Sequence, residues 1–182
     1  LQLTGKRPAI LAIDINTGFN SPERGEGLKR LARAHAAAGG IVSLSWHDAK
    51  PTQPNPDAPP PDNSYSELTA GEWTQLMVPF TQTAIDWAQN HLSYAHGFLL
   101  ELKAYNIPVL WRPFHEPEGN WFWWGQTTHN TPENYHRIWK RIFGFTDPTN
   151  YVNNRHLNNL IWVYSSAFPG QAPTFPGNQY VG

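Results

Sequence analysis

Arg7-Pro8-Ala9-Ile10-Leu11-Ala12-Ile13-Asp14, followed by Ser21-Pro22-Glu23, is the stretch from which the architecture is read. Residues 7–14 form a short, nearly continuous apolar run closed by a carboxylate, the pattern of a parallel strand buried on both faces. Ser21-Pro22-Glu23 then reads as a helix start: a Ser cap, Pro at the first helical position and an early acid. Leu28, Leu31, Ala32, His35 and Ala38 recur at helical spacing until Gly39-Gly40 stops them. Together they make one β–α unit.

The unit recurs down the chain. Ile41 to His47 reads as a strand ending in aromatic and polar groups, followed by a loop from about Asp48 to Gly71 rich in Pro, Asn and Asp. A loop that long within a domain is usually functional. Ala84, Ile85, Ala88, Leu92, Ala95, Leu99 and Leu102 mark one face of the next helix, and Ile107 to Pro113 forms the third strand. Thr131-Pro132-Glu133 opens a helix with Tyr135, Ile138, Trp139 and Ile142 inward, and Leu160 to Ser165 is the fourth strand. Strands alternating with amphipathic helices predict parallel α/β construction, either an open doubly wound sheet or an eight-stranded barrel. Asp14-Ile15-Asn16-Thr17-Gly18 lacks the spacing of a dinucleotide-binding loop. Polar and aromatic residues instead follow several strand ends, which is the habit of the barrel.

Composition narrows the function classes. The 182 residues carry 13 basic and 14 acidic side chains, a net charge of −1, which provides no basic footprint for nucleic acid. No apolar run approaches the roughly 20 residues needed to span a bilayer, so a soluble protein without a membrane partner is expected. The absence of Cys removes disulfides, thiolate metal sites and a Cys nucleophile. The excess is aromatic, with 9 Trp, 9 Phe and 7 Tyr. Flat apolar faces with a polar edge suit a sugar-binding cleft as well as a core.

The densest segment is Trp111-Arg112-Pro113-Phe114-His115-Glu116-Pro117-Glu118-Gly119-Asn120-Trp121-Phe122-Trp123-Trp124-Gly125. A Glu at a strand end, walled by aromatics, can serve as a general acid. Pairing with Arg112 is its structural alternative. His115-Glu116 has no second His three or four residues on, so a zinc-hydrolase motif is absent, and no metal or cofactor is expected.

Arg112-Pro113-Phe114-His115-Glu116 with Gly119 and Trp121-Phe122-Trp123-Trp124-Gly125 resembles the acid/base signature of glycoside hydrolase family 26, best known for β-mannanases. Gly5 to Ala9, Ser45-Trp46-His47, Leu160 to Tyr164 and Pro176 to Val181 fall in the family's order, so the resemblance covers essentially the whole chain. It implies a retaining glycosidase on a (β/α)8 TIM barrel, of which residues 1–182 hold about four units as one partial catalytic domain. Glu116 would be the general acid/base at the end of the family's fourth strand, with His115 beside the nucleophile. His47 would reach the sugar next to the cleavage point, and Trp121 would form a platform on the leaving-group side. Trp46 and Trp124 are placed at the substrate cleft, with packing as their alternative. Arg112 joins them, with orientation of carboxylates as its alternative.

The same resemblance puts the nucleophile Glu on the family's seventh strand. The chain therefore reads as strands two to five, with the nucleophile outside it and no activity expected of the isolated piece. Where the family has a Met-Asn pair, Pro117-Glu118 stands here, and Glu118 is expected to point outward into solvent. The implied activity is endo-β-1,4-mannanase on mannan, glucomannan or galactomannan. Mixed-linkage β-glucanase, β-1,3-xylanase and a non-catalytic carbohydrate-binding protein are the alternatives. A polysaccharide partner places the protein outside the cell or at its surface, and further carbohydrate-binding modules could be appended to the parent.

Overall fold

The structure is a computed structural model that describes residues 5–18, 21–52, 64–144, 157–168 and 174–181. The middle of the loop expected between Asp48 and Gly71 lies outside the described residues.

Four strands form one parallel sheet: β1 (Ile10–Asp14), β2 (Ile41–Trp46), β3 (Val109–Pro113) and β4 (Leu160–Trp162). They lie side by side in chain order. Successive parallel neighbours without a reversal of order are the construction of a barrel wall. The chain is an incomplete (β/α)8 barrel.

Helices fill the crossovers. In α1 (Pro22–Ala37) the Ser21 hydroxyl accepts from the Arg24 N–H, satisfying one of the free amides of the first turn. The second crossover holds α2 (Ala70–Met77), α3 (Gln82–Asp86) and α4 (Ser93–Ala104), the last two joined by a wider π-helical stretch at Trp87–Leu92. The third is α5 (Pro132–Phe143), which buries Tyr135, Ile138, Trp139 and Ile142 as its spacing predicts. It ends at Gly144, whose φ of 99° is the left-handed stop that glycine adopts freely.

Val42, Leu44 and Trp46 of β2 lie beside Val109, Trp111 and Pro113 of β3, and all six are buried. The alternate residues bring Asp14, Ser45 and Arg112 into one row across three strands. This polar row points to the opposite face. The expectation that β1 is buried on both faces is corrected: Ile10 is 51% exposed and only Ile13 is buried. β1 is the outermost strand of the described sheet and has a neighbour on one side alone.

Candidate active site

The polar row continues past the strand ends. Asp14, the last residue of β1, accepts from Ser45 Oγ at 3.0 Å and from the Asn16 N–H at 2.9 Å, and it pairs with His47 Nδ1. His47 in turn meets His115 edge to face, ring centroids 4.3 Å apart. Three strand ends thus deliver Asp14, His47 and His115-Glu116 to one place.

The backbone that carries Glu116 is unusual. Phe114 and Glu116 have φ values of 46° and 56°, a conformation uncommon for residues with a side chain. Such a turn persists only where its surroundings over-determine it. Here the Phe114 carbonyl accepts from Tyr135 Oη at 2.9 Å, and the His115 carbonyl accepts from Trp124 Nε1 at 2.9 Å. The Glu116 N–H donates to the Ser165 carbonyl at 2.7 Å, and its own carbonyl accepts from the Gly119 N–H at 3.1 Å. Tyr135 of α5 and Ser165 after β4 hold the turn from outside, and Gly119 and Trp124 hold it from its own loop.

Burial pushes the His115 pKa down to about 3, assisted by His47 and the Arg112 guanidinium and opposed by the Asp14 carboxylate. His115 is therefore a neutral imidazole near pH 7, and its buried Nδ1 has no hydrogen-bond partner among the described residues. Arg112 Nη1 donates to Ser165 Oγ at 3.2 Å, so it ties β3 to the segment after β4. That is a positioning contact.

The aromatic residues divide into faces and supports. Trp121 is half-buried and lies across Gly119, where a Cβ would come within 2.3 Å of its ring. Only glycine permits that approach. Trp46 and Trp124, placed at the cleft by the sequence, are 1% and 0% exposed and present no face for a sugar. Trp46 stacks on Trp111 at 6.1 Å, and Trp124 lies flat on Phe122 at 4.4 Å with its N–H on the His115 carbonyl. Both hold the turn from behind.

Glu118 is also corrected. Rather than pointing outward, its carboxylate accepts from Tyr164 Oη and from the Ala167 N–H at 3.0 Å. Burial raises its pKa, but these hydrogen bonds outweigh that effect and hold it below the usual carboxylate value.

Two contributors were not anticipated. Buried Asp48 accepts from Trp87 Nε1 at 2.7 Å and His91 Nδ1 at 2.6 Å, while its carbonyl accepts from Trp123 Nε1 at 3.0 Å. It knots the π-helical stretch to the aromatic segment. Tyr65 is 56% exposed and rests on Phe122, which also packs against His47 and His115. Its place in the long loop after the second strand was the one signal available. Among the described residues no cluster of three or more metal-ligating side chains occurs.

A carboxyl-bearing residue and two histidines thus gather at the carboxyl ends of consecutive strands, the face on which barrel enzymes assemble their sites. The family model for glycosyl hydrolase family 26 matches residues 1–182, and the chain belongs to that family. It is 32% identical over 180 residues to a mannan endo-1,4-beta-mannosidase of Thermothelomyces thermophilus, covering 94% of this chain and 35% of that one. A mannan endo-1,4-beta-mannosidase of Bacillus subtilis is 29% identical over 190 residues, covering 98% and 49%. Among solved structures, a beta-mannanase from a symbiotic protist of the termite Reticulitermes speratus, complexed with gluco-manno-oligosaccharide, superposes with a TM-score of 0.75 at 29% identity. That match covers 99% of this chain and 55% of the other. The chain spans about half or less of these relatives' length.

Proposed function

We propose that this chain supplies the acid/base half of the catalytic barrel of a retaining endo-β-1,4-mannanase acting on mannan, glucomannan or galactomannan. The observation that carries this reading is Glu116, pinned at the end of β3 beside His115 and the His47–Asp14 pair, with Trp121 half-open nearby. The names of the relatives support the polymer class.

In this mechanism the Glu116 carboxyl gives its proton to the glycosidic oxygen as the C1–O bond breaks. A second carboxylate, contributed by the parent protein outside this chain, forms the new bond to C1. The Glu116 carboxylate then takes a proton from the water that attacks C1, and the ester bond to the nucleophile breaks. His47, held by Asp14, is the hydrogen-bonding group for the sugar at the cleavage point. His115 stays neutral and can bond to the nucleophile without competing for the proton. Trp121 is the platform for the departing sugar. The substrate is a polymer too large to enter a cell, so the enzyme acts outside it or at its surface.

Reducing-sugar release by the longer parent protein tests the proposal, using glucomannan, mixed-linkage β-glucan and β-1,3-xylan, with Glu116→Gln in parallel. The expected result is release from glucomannan, lowered about 10²- to 10⁴-fold by the substitution. Release from β-glucan or xylan alone would reassign the polymer. A folded parent inactive on all three would point to a carbohydrate-binding protein.

A further inference from the structure

Glu118 sits two residues after the acid/base residue, and its carboxylate is engaged across the mouth of the sheet. One oxygen accepts from Tyr164 Oη and lies 3.4 Å from Thr174 Oγ1, while the other accepts from the Ala167 N–H at 3.0 Å. Tyr164 and Thr174 complete the triangle with a 2.8 Å bond between their hydroxyls. The segment held in this way, from Tyr164 to Phe168, is the one on which Glu116 depends. Ser165 gives its carbonyl to the Glu116 N–H and its hydroxyl to Arg112, and Phe168 lies edge-on to Trp121 at 6.3 Å.

From this arrangement we infer that Glu118 is a positioning residue, a clamp that fixes the segment after β4 and thereby sets the reach of Glu116 and the tilt of Trp121. Three features distinguish the clamp from ordinary loop packing. Its donors come from the far side of the next strand, so it joins two loops rather than stiffening one. A carboxylate, unlike an amide, accepts at both oxygens, and both are used. The turn it braces has left-handed φ at Glu116, a geometry that relaxes unless held.

The inference rests on the proposed role of Glu116, and the experiment separates the two. In the parent protein, Glu118→Ala, Glu118→Gln and Tyr164→Phe are compared on mannotetraose, whose leaving sugar needs a proton, and on a dinitrophenyl mannobioside, whose leaving group does not. A clamp acting through the acid predicts that Glu118→Ala lowers kcat/KM on mannotetraose about tenfold more than on the aryl substrate. Glu118→Gln should fall between wild type and Ala, because its amide oxygen still accepts one bond. Tyr164→Phe removes a single hydroxyl without emptying space and should shift the ratio in the same direction. Equal losses on both substrates, or none on either, would overturn the clamp.

Amide hydrogen exchange gives a readout independent of turnover. Glu118→Ala is expected to speed exchange at Ala167 and at Glu116, and unchanged Glu116 exchange would overturn the inference even in a parent that cleaves no glycan. A parent inactive on mannotetraose, with Glu116 exchange still controlled by Glu118, would sink the mannanase reading and leave the clamp standing.

Discussion

The pKa values of two buried histidines close to the site are moved in opposite directions. Burial alone would lower the pKa of His91, but the Asp48 carboxylate bonded to its Nδ1 outweighs burial and raises it above the ordinary 6.5. His115 is lowered to about 3 by burial, His47 and Arg112. The two therefore affect stability with opposite signs. The His91 contribution is fully present below 6.5 and is lost as pH rises through its raised folded value. The His115 contribution is present above 6.5 and is lost as pH falls toward about 3. Imidazole NMR of the parent protein is expected to find His91 titrating above 6.5 and His115 neutral at pH 5. A His115 that titrates near 6.5 would remove the reason for calling it a neutral donor. The sequence made His115 conspicuous, standing beside Glu116 in an aromatic segment, but it gave no sign of His91. That partnership depends on Asp48, far away in the chain, and no local spacing announces it. Glu118 was misjudged for the same reason, since Tyr164, Ala167 and Thr174 become its donors only after β4 has joined the sheet.

Elements with a self-contained signal were the legible ones. α5 shows its buried face at every third or fourth residue, and α1 opens on Ser21 and Pro22, so neither needs tertiary information. α2 carries a local signal as well, yet it stands at the end of a Pro-rich stretch that reads as loop. Its capping box is Thr69 with Glu72: the Thr69 hydroxyl accepts from the Glu72 N–H at 3.2 Å, and the Glu72 carboxylate accepts from the Thr69 N–H at 2.8 Å. Thr52 Oγ1 and Lys50 Nζ also reach this carboxylate, at 2.6 and 2.9 Å. Burial raises the Glu72 pKa, but the hydrogen bonds from Thr52, Thr69 and Lys50 bring it down to about 2. Its stabilisation is present above 4.5 and is lost as pH falls through about 2. Thr69→Ala is expected to destabilise the parent by about 1 kcal/mol in chemical denaturation at neutral pH. A change within error would mean that packing of Trp73 and Leu76, not the cap, sets the start of α2. The π-helical stretch at Trp87–Leu92 could not be foreseen, because apolar spacing on either side of it continues without a break.

The described sheet has two outer strands, β1 and β4, and apolar side chains stand open at its margin, with Ile10 and Ile41 51% and 49% exposed. Unpaired parallel edges and exposed apolar surface favour association between copies. The 182-residue chain by itself is expected to self-associate and to release no sugar from glucomannan. Light scattering after size exclusion, alongside the parent protein, checks the first expectation, and a reducing-sugar assay checks the second. A monodisperse monomer that hydrolyses glucomannan would mean that both carboxylates of the mechanism lie within these residues.

Strands adjacent in this sheet are also consecutive in the chain. Such a wall can be laid down in the order of synthesis, one strand at a time, as the polypeptide leaves the ribosome. Glu116 emerges with β3, but its amide has no acceptor until Ser165 follows behind β4. Glu116 is thus made early and set late, and its turn is completed only when the next strand docks.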